Sequence, residues 1–177
     1  MMANFKKALA NKGFVVGGCI FLAIALIALV GPLVWTVDPN AQEMTLRLSA
    51  PSPAHPFGCD DFGRDLLARV IAGARVSLGV GIAVTLATSA LGLVIGAYAC
   101  YNERLDHILM RICDGLMSIP GVLLAIALMA MMGASAWNVI IALSIVYTPS
   151  MARIVRSRAM VVKEEPFVEA LRVQGAS

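Results

Sequence analysis

Four long apolar runs dominate this chain, and they leave few folds open to it. A membrane-crossing helix needs about 20 mostly apolar residues. Phe14 to Val34 reaches that length without a charge, and Val76 to Cys100 reaches it again. A third run extends from about Ile108 to Met132, with Arg111 and Asp114 in its first turns, and a fourth from Trp137 to about Ile154. Backbone N–H and C=O groups find no water in hydrocarbon, so each run is expected to be a helix. Composition agrees. Of the 177 residues 59% are hydrophobic and 14% charged, against about 25% charged in a typical soluble domain. A chain this short cannot hide so much apolar surface in one core. The expected fold class is all-α, a polytopic membrane helical bundle.

The connections between runs differ in kind. The expected order is a cytoplasmic segment 1–13, a first span 14–34, and a periplasmic loop 35–75 containing an amphipathic helix. A core 76–177 comes next, with spans at about 76–100, 108–132 and 137–154 and a cytoplasmic loop 155–177. Lys6, Lys7 and Lys12 precede the first run as in a signal peptide. The run is too long for a signal core and no small-residue cleavage site comes after it, so it reads as an uncleaved span. With the N-terminus inside, ten Lys and Arg fall on inner segments and four (Arg47, Arg64, Arg69 and Arg75) on the outer one, as the positive-inside rule requires. The net charge of +3 and the absence of a basic stripe give no reason to expect nucleic acid. Of the four cysteines, Cys19, Cys100 and Cys113 lie in or at the ends of apolar runs. Cys59 falls in the long polar segment, where an outside thiol reagent is expected to reach it.

The outer stretch from His55 to Leu78 begins as a loop and turns into a helix. Pro56, Gly58 and Gly63 are turn residues. Asp60 or Asp61 is placed to cap the helix. Phe62, Leu66, Leu67, Val70 and Ile71 fall on one helical face, with Arg64, Asp65 and Arg69 largely on the other. Such a helix is expected to lie along the outer membrane surface. His55, Cys59, Asp60 and Asp61 do not complete a tetrahedral metal site, so a turn and a cap are the better reading. The stretch HPFGCDDFGRD, with GARVSL soon after it, closely resembles a signature of one permease subunit type in peptide, nickel and glutathione ABC importers. That signature reads HPxGTDxxGRDxxxRxxxGxRxSL, and Cys59 stands at its usual Thr. The resemblance puts His55, Gly58, Asp60, Gly63, Arg64, Asp65 and Arg75 in the outer signature.

Within the spans, Gly92 and Gly96 form a GxxxG that favours close helix approach. Asp114 near a span end is expected to pair with Arg111 one turn earlier. Pro120 lacks an N–H and should kink its helix, and Pro149 invites the same reading. Asp114 to Pro120 resembles the D-x-x-x-x-x-P element of the importer permease core. By that resemblance Asp114, Ser118, Pro120 and Pro149 are candidates for a pathway or gating role, with helix packing as the plain alternative. The scattered methionines read as core filler.

After the fourth run, Pro166 can open a short helix and Gly175 can close it. Its roughly nine residues make about 13 Å of helix, marginal alone in water. Phe167, Ala170 and Leu171 form one small apolar face that needs a partner surface. FVEALRVQGAS resembles the EAA loop with which ABC importer permeases dock their ATPases. Glu169 and Ala170 match, Leu171 stands at the second Ala, and Gly175 has the required spacing.

The resemblance implies a type I ABC importer permease fold in the bacterial inner membrane, with four of an expected six spans in this C-terminally truncated chain. It implies a peptide-like solute, or nickel or glutathione in related systems. The implied partners are a second homologous permease, two ATPase subunits, a periplasmic substrate-binding protein and the lipid bilayer. ATP and Mg would be used by the ATPases, with no cofactor, metal or catalytic residue on this chain. The chain has no GxxxxGK[ST] and no Ser/His/Asp or Cys/His set. A four-span enzyme or scaffold is the rival of a different class. It would need paired polar groups at depth, where Asp114 stands nearly alone. A small independent channel is favoured only by the chain's length.

Overall fold

The computed structural model describes residues 11–175, and within them the side chains of all but Glu169, Leu171 and Arg172. The expected cytoplasmic segment therefore lies mostly outside the described residues. Six α-helices occur among them in order: α1 (Lys12–Val34), α2 (Leu66–Tyr101), α3 (Glu103–Met117), α4 (Gly121–Met132), α5 (Ala136–Lys163) and α6 (Pro166–Val173). A single 3-10 turn, Met44–Leu46, lies between α1 and α2. Among the described residues the only extended pairing is an isolated bridge between Cys59 and Asp65.

Local chemistry sets most helix ends. Asn11 caps α1, its side-chain oxygen accepting from the N–H groups of Gly13 and Phe14. Asn102 does the same for α3, where Glu103 and Asp106 also favour the first turn. Gly133 ends α4 at a φ of 86°, a backbone state that glycine enters without a Cβ clash. Asn138 then donates its amide to the carbonyl oxygens of Met132 (2.7 Å) and Gly133 (3.0 Å), tying off the end of α4.

Helices α1, α2 and α5 are each long and apolar enough to cross a membrane, and α3 with α4 makes a fourth candidate as a bent pair. Leu29 and Leu33 of α1 are 76% and 80% exposed, as expected of side chains whose solvent is lipid. The third apolar run is not the continuous helix expected over 108–132. It breaks after Met117 and resumes at Gly121 with a bend of 88°. Pro120 supplies no N–H and disfavours helical backbone in the residue before it, so the ladder stops there. Nor does the outer segment form the separate surface helix expected of it. Leu66 already belongs to α2, a single helix of 36 residues, about 54 Å long. Phe62 and Arg64 lie in the loop ahead of it. The fourth run continues as α5 through Lys163, and Pro149 sits inside that helix without ending it.

The described residues divide into two compact units, one ending at Gly79 and the next beginning at Val80, with the division inside α2. In the first, α1 crosses the early turns of α2 at Gly31, where an added Cβ would stand 2.7 Å from Cγ2 of Ile71. In the second, α3 and α4 both lie against α5. There α2 approaches α5 at Gly92 and Gly96. A Cβ at either would lie within 2.7 Å of Met151, Ala152 or Val155, which is the close approach the GxxxG spacing predicts.

Candidate functional site

The outer loop is organised around Asp65, which is 3% exposed. One carboxylate oxygen accepts from the N–H of Ala68 at 2.6 Å, making Asp65 the N-cap of α2. The same oxygen accepts from the Trp35 indole N–H at 3.2 Å. The other lies 2.8 Å from Nδ1 of His55, which donates to the ionised carboxylate. One side chain thus joins the end of α1, the middle of the loop and the start of α2. Burial pushes the Asp65 carboxyl up, but the donors from Ala68, His55 and Trp35 outweigh it and hold the group below the usual carboxylate range.

Asp60 and Asp61 do not cap α2. Asp60 closes the turn before it, accepting from the N–H groups of Phe62 (2.8 Å) and Arg64 (3.0 Å) and from Nε of Arg64 (2.8 Å). The Arg64 guanidinium lies over the Phe62 ring at 4.7 Å. Gly58 and Gly63 have φ of 73° and 71°, and a Cβ at each would run into the carbonyls of Ser49 and Glu43. His55, Gly58, Asp60, Gly63, Arg64 and Asp65 therefore form one closed local structure. Arg75 is apart from it. It is exposed and lines a shallow cleft with Pro32, Trp35, Asp38 and Ile71. No metal-binding cluster occurs among the described residues, and His55 is committed to Asp65.

Cys59 corrects a further expectation. It is 4% exposed and carries a free thiol, because the loop folds over it. Membrane-impermeant maleimide is expected to label Cys59 slowly or not at all, and to label an Ala54→Cys variant rapidly in sealed cells. Position 54 is exposed. Labelling of that variant only after the membrane is opened would reverse the orientation read from the positive charges.

A second cluster joins α3 to α5. Asp114 pairs with Arg153 of α5, not with Arg111 as its sequence neighbourhood suggested. The fold brings α5 across α3, so that Arg153 takes the carboxylate while Arg111 lines the same cleft. One turn from Arg153, the guanidinium of Arg156 donates through Nε and Nη2 to both oxygens of Asp106. Lys163 donates to the carbonyl of Cys100 at 3.2 Å, among the last carbonyls of α2. Asp106, His107, Arg111, Asp114, Arg153 and Arg156 line a cleft of about 390 Å³. Ser118 donates to the carbonyl of Gly115 at 2.7 Å, and Pro120 stands at the N-cap of α4. Pro149 is buried in α5 and lines an apolar cavity of about 220 Å³ with Leu91, Ile95, Cys113 and Leu116. The four pathway candidates are thus spread over an ion pair, a helix break and an apolar cavity.

The third element is α6. Pro166 occupies its first position, and Gly175 lies just past its end at a φ of 87°, the left-handed state of a C-terminal glycine. Phe167 is 58% exposed and Ala170 is also exposed. The side chains of Glu169 and Leu171 lie outside the described residues. Sequence reasoning passes over Trp35 and Asp106, and it reads Arg156 and Lys163 only as positive charges on the inner side. A basic repeat at Arg153 and Arg156 opposite acids at Asp106 and Asp114 was the available signal, but the pairing needs the fold.

These features define an all-α polytopic membrane protein with a closed extramembrane loop, a broken span and a short exposed helix after its last long one. Comparison with known proteins carries this further. The pattern of the binding-protein-dependent transport system inner membrane component matches residues 88–177, and that of the N-terminal TM domain of oligopeptide transport permease C matches residues 4–51. The chain belongs to the family of binding-protein-dependent transport system inner membrane components. It is 41% identical over 172 residues to a Brucella abortus protein named for peptide transport, covering 97% of this chain and 58% of the relative. It is 39% identical to the dipeptide transport system permease protein of Alkalihalophilus pseudofirmus, covering 97% and 57%. It is 43% identical over 128 residues to the glutathione transport system permease protein of Pectobacterium atrosepticum, covering 72% and 42%. The chain spans a little over half the length of the first two.

Proposed function

We propose that this protein is a membrane-spanning permease subunit of an ATP-driven importer. It forms half of a translocation pathway for peptides or a related small solute. It lies in the bacterial inner membrane with its N-terminus in the cytoplasm. It works with a second permease, two ATPase subunits that use ATP and Mg, and a periplasmic binding protein. The relatives named for peptide, dipeptide and glutathione transport support the solute class, since glutathione is itself a small peptide.

The observation that carries the reading is α6, an eight-residue helix between Pro166 and a left-handed Gly175, with Phe167 exposed on it. A helix so short gains little stability alone. Its value lies in docking to a partner and moving with it. Movement of the ATPases would swing α6 and switch the path between inward-facing and outward-facing states as a rigid-body change.

The test uses the full-length protein in its assembled transporter. Gly175→Arg places a side chain in a left-handed backbone, and Glu169→Ala alters the EAA-type segment. The double variant is expected to lose most ATPase co-purification while remaining in the membrane. Normal ATPase retention and ATP hydrolysis in that variant would remove α6 as the docking element.

A further inference from the structure

We propose that Arg156 and Asp106, with Arg153 and Asp114 beside them, are positioning residues that carry the movement of α6 to the broken span. This rests on the permease reading above. The fourth apolar run ends near Ile154, but α5 continues as helix to Lys163. The nine further residues make an overhang of about 13 Å, and α6 begins directly after it at Pro166. An overhang held only at its base would pivot, and a push on α6 would be lost as local bending.

The structure holds this overhang at its base and at its end. Arg153 meets Asp114 and Arg156 meets Asp106 one turn later, while Lys163 reaches the end of α2 at Cys100. The Arg156 contact uses two nitrogens on two oxygens. That fork fixes the rotation of α5 about its axis as well as its distance from α3. The Arg156 and Asp106 side chains are 30% and 15% exposed, so water screens the pair less than it would a surface pair. On its other side α3 leads straight into Ser118 and Pro120 and the 88° bend to α4, and α4 also lies against α5. Helices α3, α4 and α5 therefore form a brace. Displacement of α6 enters at Lys163 and leaves at the break.

The experiment reads the break and needs no knowledge of the solute. Ser118→Cys, in a background with Cys19→Ser and Cys100→Ser, is placed in the full-length protein within its assembled transporter. Maleimide labelling is measured with and without ATP. ATP is expected to change the labelling rate by about fivefold or more. Arg156→Ala is expected to abolish that change while the ATPases still co-purify and hydrolyse ATP. The exchanged pair Asp106→Arg with Arg156→Asp is expected to restore it. An ATP-dependent change that survives Arg156→Ala overturns the proposal. So does an exchanged pair that fails to restore it with the ATPases retained, or a wild-type break that does not respond to ATP. Loss of the ATPases in Arg156→Ala alone marks a purely structural pair and also overturns it. A wild-type complex that retains no ATPase overturns the permease reading itself.

Discussion

Asp65→Ala is expected to open the outer loop and destabilise the first unit by about 3 kcal/mol. The change removes the N-cap of α2, worth about 1 kcal/mol, and leaves the half-buried donors of Trp35 and His55 without their acceptor, each at a further cost of about 1 kcal/mol. Thermal unfolding in detergent should show the loss, and protease should then cut near Gly63, which the folded loop buries. Asp65→Asn keeps an acceptor oxygen and should lie between the two. The wild type should also lose stability more steeply in acid than Asp65→Asn does. The folded protein holds the Asp65 carboxyl below its ordinary value of 3.8, so the unfolded chain takes up the proton first. The contribution is complete above the unfolded value and is lost as pH falls through the lower folded one. A wild type and Asp65→Asn of equal stability at pH 7 would show that the carboxylate does not hold the loop.

Gly96→Leu should separate α2 from α5. An added Cβ would stand 2.6 Å from the Ala152 carbonyl oxygen and 2.7 Å from Cβ of Val155. Backbone cannot rotate out of the way, so one helix must shift as a body. Overpacking of this kind costs about 1–3 kcal/mol, and in a bundle whose cohesion in lipid rests on close packing the upper end is expected. Gly79→Leu serves as the control on the same helix, because nothing lies within 4 Å of its Cβ position. It should change stability by about 0.5 kcal/mol or less. Thermal unfolding of both variants reads the difference directly. Equal midpoints would mean that α2 and α5 do not depend on contact at Gly96.

The legible parts of the site are those whose physics is local. Gly58, Gly63 and Gly175 are recognisable in sequence as turn or closing residues, and each has φ between 71° and 87°. Pro120 is recognisable as a disruption because it lacks an N–H, although the size of the bend is not. Other readings fail because the deciding partner is far along the chain. Asp60 looks like a cap by position, but Asp65 is held in that role by Trp35, 30 residues earlier. Asp114 looks like a partner for Arg111 at helical spacing, but Arg153, 39 residues later, takes it. Cys59 looks exposed in a polar segment, and the folded loop buries it.

The order of residues alone sets the solvent of this protein, its helical class and the approximate placing of its long apolar segments. Those result from hydrophobicity over about 20 residues and from the need to satisfy backbone groups in lipid, and neither depends on a neighbour. The two pattern matches determined its family. Tertiary structure decided what the charges do. Attraction between charges depends on distance, and only the approach of α3 to α5 brings Asp106 to Arg156 and Asp114 to Arg153. The same holds for Asp65, whose three donors come from the end of one helix, the middle of a loop and the start of another.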